Sequence, residues 1–167
     1  MTPLRVDDAT EADLPSILAI YNEVIATTTA VYSEIPATLT DRLDWFRLRR
    51  ERGFPVLVTK DESGVTGFGS FGDFRTWPGY KHSVEHSVHV REDRRGQKIG
   101  SAIVQELVAR AVALNMHVII GGVDAANEAS IRMHEKLGFE RAAILREVGR
   151  KFDRWLDLQF VVKRLGS

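Results

Sequence analysis

The 167-residue sequence contains no cysteine. Disulfides, a thiol nucleophile and Cys-ligated zinc are therefore excluded. No charge sign is in excess: 23 Lys and Arg stand against 23 Asp and Glu. Proteins that hold duplex nucleic acid usually carry a basic surplus, so the balance speaks against such a partner. It lends no support to an anionic membrane surface either. Long apolar runs are missing too. No stretch approaches the roughly 18 apolar residues of a membrane span. The segment from Met1 to Glu11 lacks the apolar run of an export signal. The expected location is the cytoplasm. No internal repeat, low-complexity tract or linker interrupts the chain, so residues 1–167 read as one domain.

What is present is ordinary for a globular protein: 44% hydrophobic and 28% charged residues. Leu4 to Val6 reads as a short strand. Thr10 then caps a helix with Leu14, Ile17, Leu18, Tyr21, Val24 and Ile25 at helical spacing. Thr40-Asp41 is the expected cap of a second helix ending near Gly53. Val56 to Val58 and Val65 to Phe74 read as strands about the turn Asp61-Glu62-Ser63-Gly64. Gly67, Gly69 and Gly72 mark bulges or a close approach by a ligand or another backbone. Ser83 to Val90 is the next strand, and Ser101 to Asn115 the clearest helix. Val118 to Val123 is a buried strand. Asn127 caps a helix closed by Gly138, and Trp155 to Leu165 is the last strand. Strands and helices alternate in both orders, which implies a mixed α/β sheet.

The turn Arg95-Gly96-Gln97-Lys98-Ile99-Gly100 opens the long helix. Backbone N–H groups at such a start lack helical partners and, with the helix dipole, favour an anion such as a phosphate. Arg94, Arg95 and Lys98 add positive charge. The other reading is a solvated basic turn. The turn matches neither the GxxxxGK[ST] of nucleotide hydrolases nor the GxGxxG of dinucleotide-binding folds.

The order strand, R-x-x-x-x-G turn, helix, strand, then Asn127 and Leu137-Gly138-Phe139 resembles the GNAT superfamily of N-acetyltransferases. One branch is closer still. Ser70 to Arg75, Val84 to Val90, Arg132 to Phe139, and Val148 to Phe152 with Arg154 to Leu158 are similar to phosphinothricin and methionine sulfoximine acetyltransferases. The likeness spans nearly the whole chain. It departs at Lys98, where the family's Q/R-x-x-G-x-G/A turn has glycine, and at Phe74, where the branch often has tryptophan.

The resemblance implies a mixed, mostly antiparallel sheet with one splayed strand pair, flanked by helices. It implies acetyl-CoA as co-substrate, no metal, and a homodimer with acceptor sites near the interface. Arg95, Gly96, Gln97, Lys98, Ile99, Gly100 and Ser101 would hold the CoA pyrophosphate. Val88, His89 and Val90 would line acetyl-CoA, Val88 offering its N–H to the oxyanion. Asn127 would reach the pantetheine arm, cap its helix, or do both. Arg75, Thr76, Trp77, Glu85, His86 and Ser87 would line the acceptor site.

Acetyl transfer to an ammonium needs a base, an oxyanion donor and a proton for the leaving thiolate. Glu85 is the only acid in its strand. It is the expected base, directly or through water, against the plainer reading of a carboxylate on an open sheet face. His134 stands where many superfamily members have a proton-donating tyrosine. It either transfers a proton or only contacts CoA. Arg75 either pairs with an acceptor carboxylate, which suits its planar fork, or forms a surface salt bridge. The histidines show no metal-site spacing. The expected acceptor is a small amino-acid-like amine. The alternatives are a protein N-terminus, a polyamine or an aminoglycoside, or a non-catalytic acyl-CoA sensor.

Overall fold

A computed structural model describes residues 4–166 of the chain. Met1, Thr2, Pro3 and Ser167 lie outside it, and with them the start of the segment read for an export signal. The elements run β1 (Val6–Asp8), α1 (Leu14–Thr27), α2 (Leu39–Glu51), β2 (Val56–Asp61), β3 (Gly64–Asp73) and β4 (Ser83–Val90). Then follow α3 (Ile99–Ala113), β5 (Val118–Asp124), α4 (Glu128–Lys136), β6 (Glu140–Lys151) and β7 (Arg154–Arg164). The seven strands form one sheet in the order β1-β2-β3-β4-β5-β7-β6. Every neighbouring pair is antiparallel except β4 and β5. No helix among the described residues is long and apolar enough to cross a membrane.

The two sheet faces carry separate cores, because successive strand residues point to opposite sides. On one face, Phe71, Val84, Ile119 and Val161 pack against Ile99, Ile103, Val104, Leu107 and Ala111 of α3. On the other, Val56, Val58, Val65 and Phe68 pack against Leu14, Ile17 and Ile20 of α1 and Phe46 of α2. Each such Val, Leu, Ile or Phe side chain contributes roughly 1.5–3 kcal/mol by leaving water. Gly67 and Gly69 explain how α3 comes so close to β3. A Cβ on Gly67 would stand 2.9 Å from a methyl of Ile99, and one on Gly69 2.6 Å from a methyl of Ile103. The side chains of the packed helix and the backbone carbonyls of His89 (3.2 Å) and Ser87 (3.0 Å) both close on these two glycines, and the β2–β3 register shifts beside Gly67.

Several expectations change, among them the cap of the first long helix: Thr10 caps a short 3-10 turn, Glu11–Asp13, and Asp13 stands before α1. The cap of α2 is Thr38, whose hydroxyl accepts from the Asp41 N–H while the Asp41 carboxylate accepts from the Thr38 N–H. Asp41 is therefore the third residue of a capping box rather than part of the cap itself. The first strand starts two residues later than read, at Val6. A further change is a strand the sequence did not announce. β6 is mostly exposed, its register shifts twice against β7, and Glu147 has a φ of 55°. A bent, exposed strand leaves no clean two-residue alternation to read.

Candidate active site

β4 and β5 pair only from Ser83/Val118 to His86/Gly121. Beyond that point β4 continues beside β3 to Val90, and β5 continues beside β7 to Asp124. The sheet is therefore split between its two central strands. A cleft of about 120 Å³ opens there, lined by Ser87, Val88, Gly122, Asp124 and Asn127 among others.

The split exposes specific backbone groups. The Arg91 N–H bonds to the Thr66 carbonyl, and the Ser83 carbonyl accepts from Phe74. Odd-numbered residues of β4 thus turn their peptide groups to β3, and even-numbered ones turn theirs toward β5. At Val88 and Val90 β5 has already left. The Val88 N–H therefore faces the cleft. The Val90 carbonyl accepts instead from the Arg95 guanidinium at 3.2 Å.

The turn at the start of α3 leaves several backbone N–H groups without helical partners. The helix's first backbone bond is Ala102 N–H to Lys98 carbonyl. The N–H groups of Ile99, Gly100 and Ser101 precede it and have no helical carbonyl to meet. Lys98 adopts the left-handed conformation, φ 64° and ψ 15°. That is the position where the resembling family has glycine, and the conformation is the one glycine adopts without strain. The charges sort differently from the sequence reading. Arg95 pairs with Glu23 of α1 at 2.6 Å, and Arg94 pairs with Asp61 and Asp93. Lys98 has no ion-pair partner among the described residues. It is left as the free cation of the turn.

Side-chain alternation then divides the histidines and Glu85. Glu85, Ser87 and His89 point to one face, and Val84, His86, Val88 and Val90 to the other. Glu85 is half-buried, with its carboxylate over Gly122. Burial pushes its pKa up, and the charge of Arg75 partly opposes that. Arg75 is exposed, forms no ion pair among the described residues, and lies over the Phe74 ring at 5.3 Å. Phe74 meets Tyr80 and Phe160 edge-on, giving this face an aromatic wall. Thr76 and Trp77 are exposed on the loop that follows, Trp77 at 66%.

His89 is among the residues that line the cleft, but its ring is not free within it. Its ring is buried against Tyr21 and Phe68, where burial, with Arg42 and Arg95 nearby, pushes its pKa down to about 4. His86 does not share the Glu85 face. It points to the α4 side and meets His134, Nε2 to Nε2, at 2.9 Å. Asn127 caps α4 by accepting from the Ser130 N–H, which leaves its amide nitrogen free of that bond.

The Leu137-Gly138-Phe139 segment has a mechanical role. Gly138 sits at φ 90°, the Phe139 N–H bonds to the His134 carbonyl, and the Gly138 N–H to that of Glu135. This double bond pattern ends a helix with a left-handed residue. It swings Phe139 back onto both imidazoles, with ring centroids 5.5 Å from His86 and 5.0 Å from His134.

Sequence reasoning missed the loop between α1 and α2. Its Thr29 hydroxyl donates to Asp124, the Tyr32 hydroxyl to the Asp157 carbonyl, and buried Lys151 to the carbonyls of Thr28 and Val31. Ala30 thereby joins the cleft wall. Contacts spanning 95 to 125 positions leave no local signal.

The acetyltransferase (GNAT) family model matches residues 17–139. Over 157 residues the chain is 46% identical to the L-methionine sulfoximine/L-methionine sulfone acetyltransferase of Pseudomonas aeruginosa, covering 93% of this chain and 91% of that protein. The crystal structure of a GNAT superfamily phosphinothricin acetyltransferase from Sinorhizobium meliloti in complex with AcCoA aligns with a TM-score of 0.95 at 35% identity. That alignment covers 99% of this chain and 90% of the other. The ribosomal-protein-alanine N-acetyltransferase of Brucella melitensis aligns with a TM-score of 0.95 at 45% identity, covering 97% of this chain and 100% of that one. A split central sheet, a helix opened by an amide-lined turn, and these matches together establish that the chain belongs to the GNAT family and is an N-acetyltransferase.

Proposed function

We propose that the chain moves the acetyl group of acetyl-CoA onto the amine of a small amino-acid-like acceptor of the methionine sulfoximine, methionine sulfone or phosphinothricin kind. The observation that carries this is a half-buried carboxylate, Glu85, over Gly122 beside the split, with exposed Arg75 lying over the Phe74 ring that walls the same face. An acceptor with both an ammonium and a carboxylate matches that pair of charges.

On this reading each residue has a role. The amides at Ile99, Gly100 and Ser101, with Lys98, hold the pyrophosphate. The Val88 N–H donates to the carbonyl oxygen as it gains charge, the kind of preorganised donor that lowers such barriers most. Glu85 takes the ammonium proton, and its raised pKa makes it a better base than a free carboxylate. Arg75 holds the acceptor's carboxylate as a planar fork. His134 lies on the far side of the sheet from Glu85, at the end where the thiolate departs.

The test is a panel of amino acids and analogues with acetyl-CoA, followed by release of free thiol. No release with any amino acid would sink the reading. Peptides outcompeting free amino acids would move the acceptor to a protein N-terminus. Glu85→Gln binding CoA normally, with no activity in the parent to lose, would mark a sensor.

The same reading includes a homodimer in the cytoplasm. Among the described residues β6 ends the sheet with an unpaired outer edge, and Ile144, Leu145 and Val148, with Trp155 of the neighbouring β7, are all at least 41% exposed. Long exposed edges of this kind invite pairing. Light scattering on the parent and on Leu145→Asp checks it, with a dimer expected only in the parent.

A further inference from the structure

The two buried imidazoles make three polar contacts. His86 Nδ1 meets the Ile120 carbonyl at 3.0 Å, and His134 Nδ1 meets the Ser130 carbonyl of its own helix at 2.8 Å. The two Nε2 atoms meet each other at 2.9 Å. A carbonyl oxygen only accepts, so both Nδ1 atoms must carry protons to make their contacts. A neutral imidazole has one N–H. Two neutral rings thus spend both protons on the carbonyls and face each other across 2.9 Å with bare lone pairs. Any other neutral arrangement sets a bare Nδ1 against a carbonyl oxygen. Three contacts require three protons.

We infer that His86 and His134 share a third proton between their Nε2 atoms and act as one cationic pair beneath the split. His86 is then a positioning residue: it acts on the reaction by setting the protonation of His134. The surroundings are consistent. Along β4 the other residues on that face are Val84, Val88 and Val90, all apolar. β5 offers Ile119, Gly121 and Val123 there. From β7, Val161 is apolar, Gln159 donates to the carbonyls of Ala143 and Phe160, and Lys163 donates to that of Leu137. Phe139 covers both rings. Asp124, tied to the Thr29 hydroxyl and the Ala126 N–H, is the carboxylate that lines the same cleft. Burial opposes the charge, pushing His86 down to about 3 and His134 down as well. Against it stands the relief of two lone pairs held face to face.

The functional half of the inference rests on the acetyl-transfer reading. When the tetrahedral adduct collapses, the C–S bond breaks and the electron pair stays on sulfur. The shared proton moves to that sulfur, leaving the pair neutral with one contact unmade. The ammonium sheds two protons over the cycle. One returns to the pair through water and the other is released, so each turnover yields amide, free thiol and one proton.

The proton count is tested on the whole protein with ¹⁵N-labelled histidine by NMR at pH 7. Three protonated nitrogens of the four, with the two Nε2 atoms coupled through one downfield proton, are expected. Two protonated and two bare nitrogens overturn the inference. In turnover, His86→Gln supplies a neutral hydrogen-bonding group and His86→Phe supplies none. Both are expected to lose about tenfold or more in kcat, with the KM for acetyl-CoA within about threefold of the parent and an unchanged circular dichroism spectrum. His86→Gln at the parental kcat overturns the role. If no acceptor releases thiol, the acetyl-transfer reading falls, and the nitrogen count still decides the proton.

Discussion

Gly121 is the register partner of His86, and the side chain it lacks is the space the imidazole fills. A Cβ there would stand 2.7 Å from His86 Cε1 and 3.0 Å from a methyl of Val161. Both neighbours belong to the sheet, so neither yields cheaply. Gly121→Ala is expected to cost about 1–3 kcal/mol as overpacking. Urea denaturation checks the stability. A kcat falling with it shows that the ring's placement matters to turnover.

Glu85→Gln separates chemistry from stability. Losing the base is expected to lower kcat by about 10²- to 10⁴-fold, with acetyl-CoA binding retained. The folded carboxyl has a raised pKa, so its ionised form is disfavoured in the native state. Any stability this group contributes is present below its unfolded pKa and lost as pH rises through the folded one. Glu85→Gln should therefore melt higher than the parent at pH 7, with the gap closing by about pH 4, near the ordinary carboxylate value.

Arg75→Ala tests the charge opposite the base. The charge of Arg75 partly offsets the rise that burial gives the Glu85 pKa. Removing it should move the acid limb of kcat/KM to higher pH. The KM for a carboxylate-bearing acceptor should rise, while that for the matching amide changes little. Equal effects on both acceptors would remove Arg75 from substrate recognition.

Lys98→Gly addresses the strained turn. A left-handed non-glycine residue costs about 1–2 kcal/mol, part of which glycine returns through its greater freedom when unfolded. A lysine at a helix start also opposes the dipole unless an anion is present. The variant is expected to gain up to about 1 kcal/mol, seen as a melting temperature roughly 2–4 °C higher. Its KM for acetyl-CoA should rise, most at low salt. A lower KM would mean that the lysine hinders the phosphate.

Particular residues show why some of this could be read in advance. Ser83 to Val90 has the bounds expected for it, since alternating Val and polar residues announce a strand. α3 runs Ile99–Ala113 where Ser101 to Asn115 was expected. Its start hid because Lys98 is not a capping residue and reaches the left-handed region without glycine. Asn127 and Gly138 delimit α4 through local bonds and were legible for that reason. Lys151 was not legible. A lysine 1% exposed, donating to carbonyls 120 and 123 residues away, has no local signature.

The sequence alone determined the elements whose signals lie within a few residues: apolar periodicity, caps, the glycine that closes α4, and the turn whose amides point out of a helix. It also carried Glu85, His134 and Arg75 as chemical types. Only the tertiary structure decided which face each occupies and who meets whom. Strand pairing fixes the point where β4 and β5 part, and alternation then sends Glu85 one way and His86 the other. That parting point depends on pairing between segments more than thirty residues apart, which no window along the chain contains.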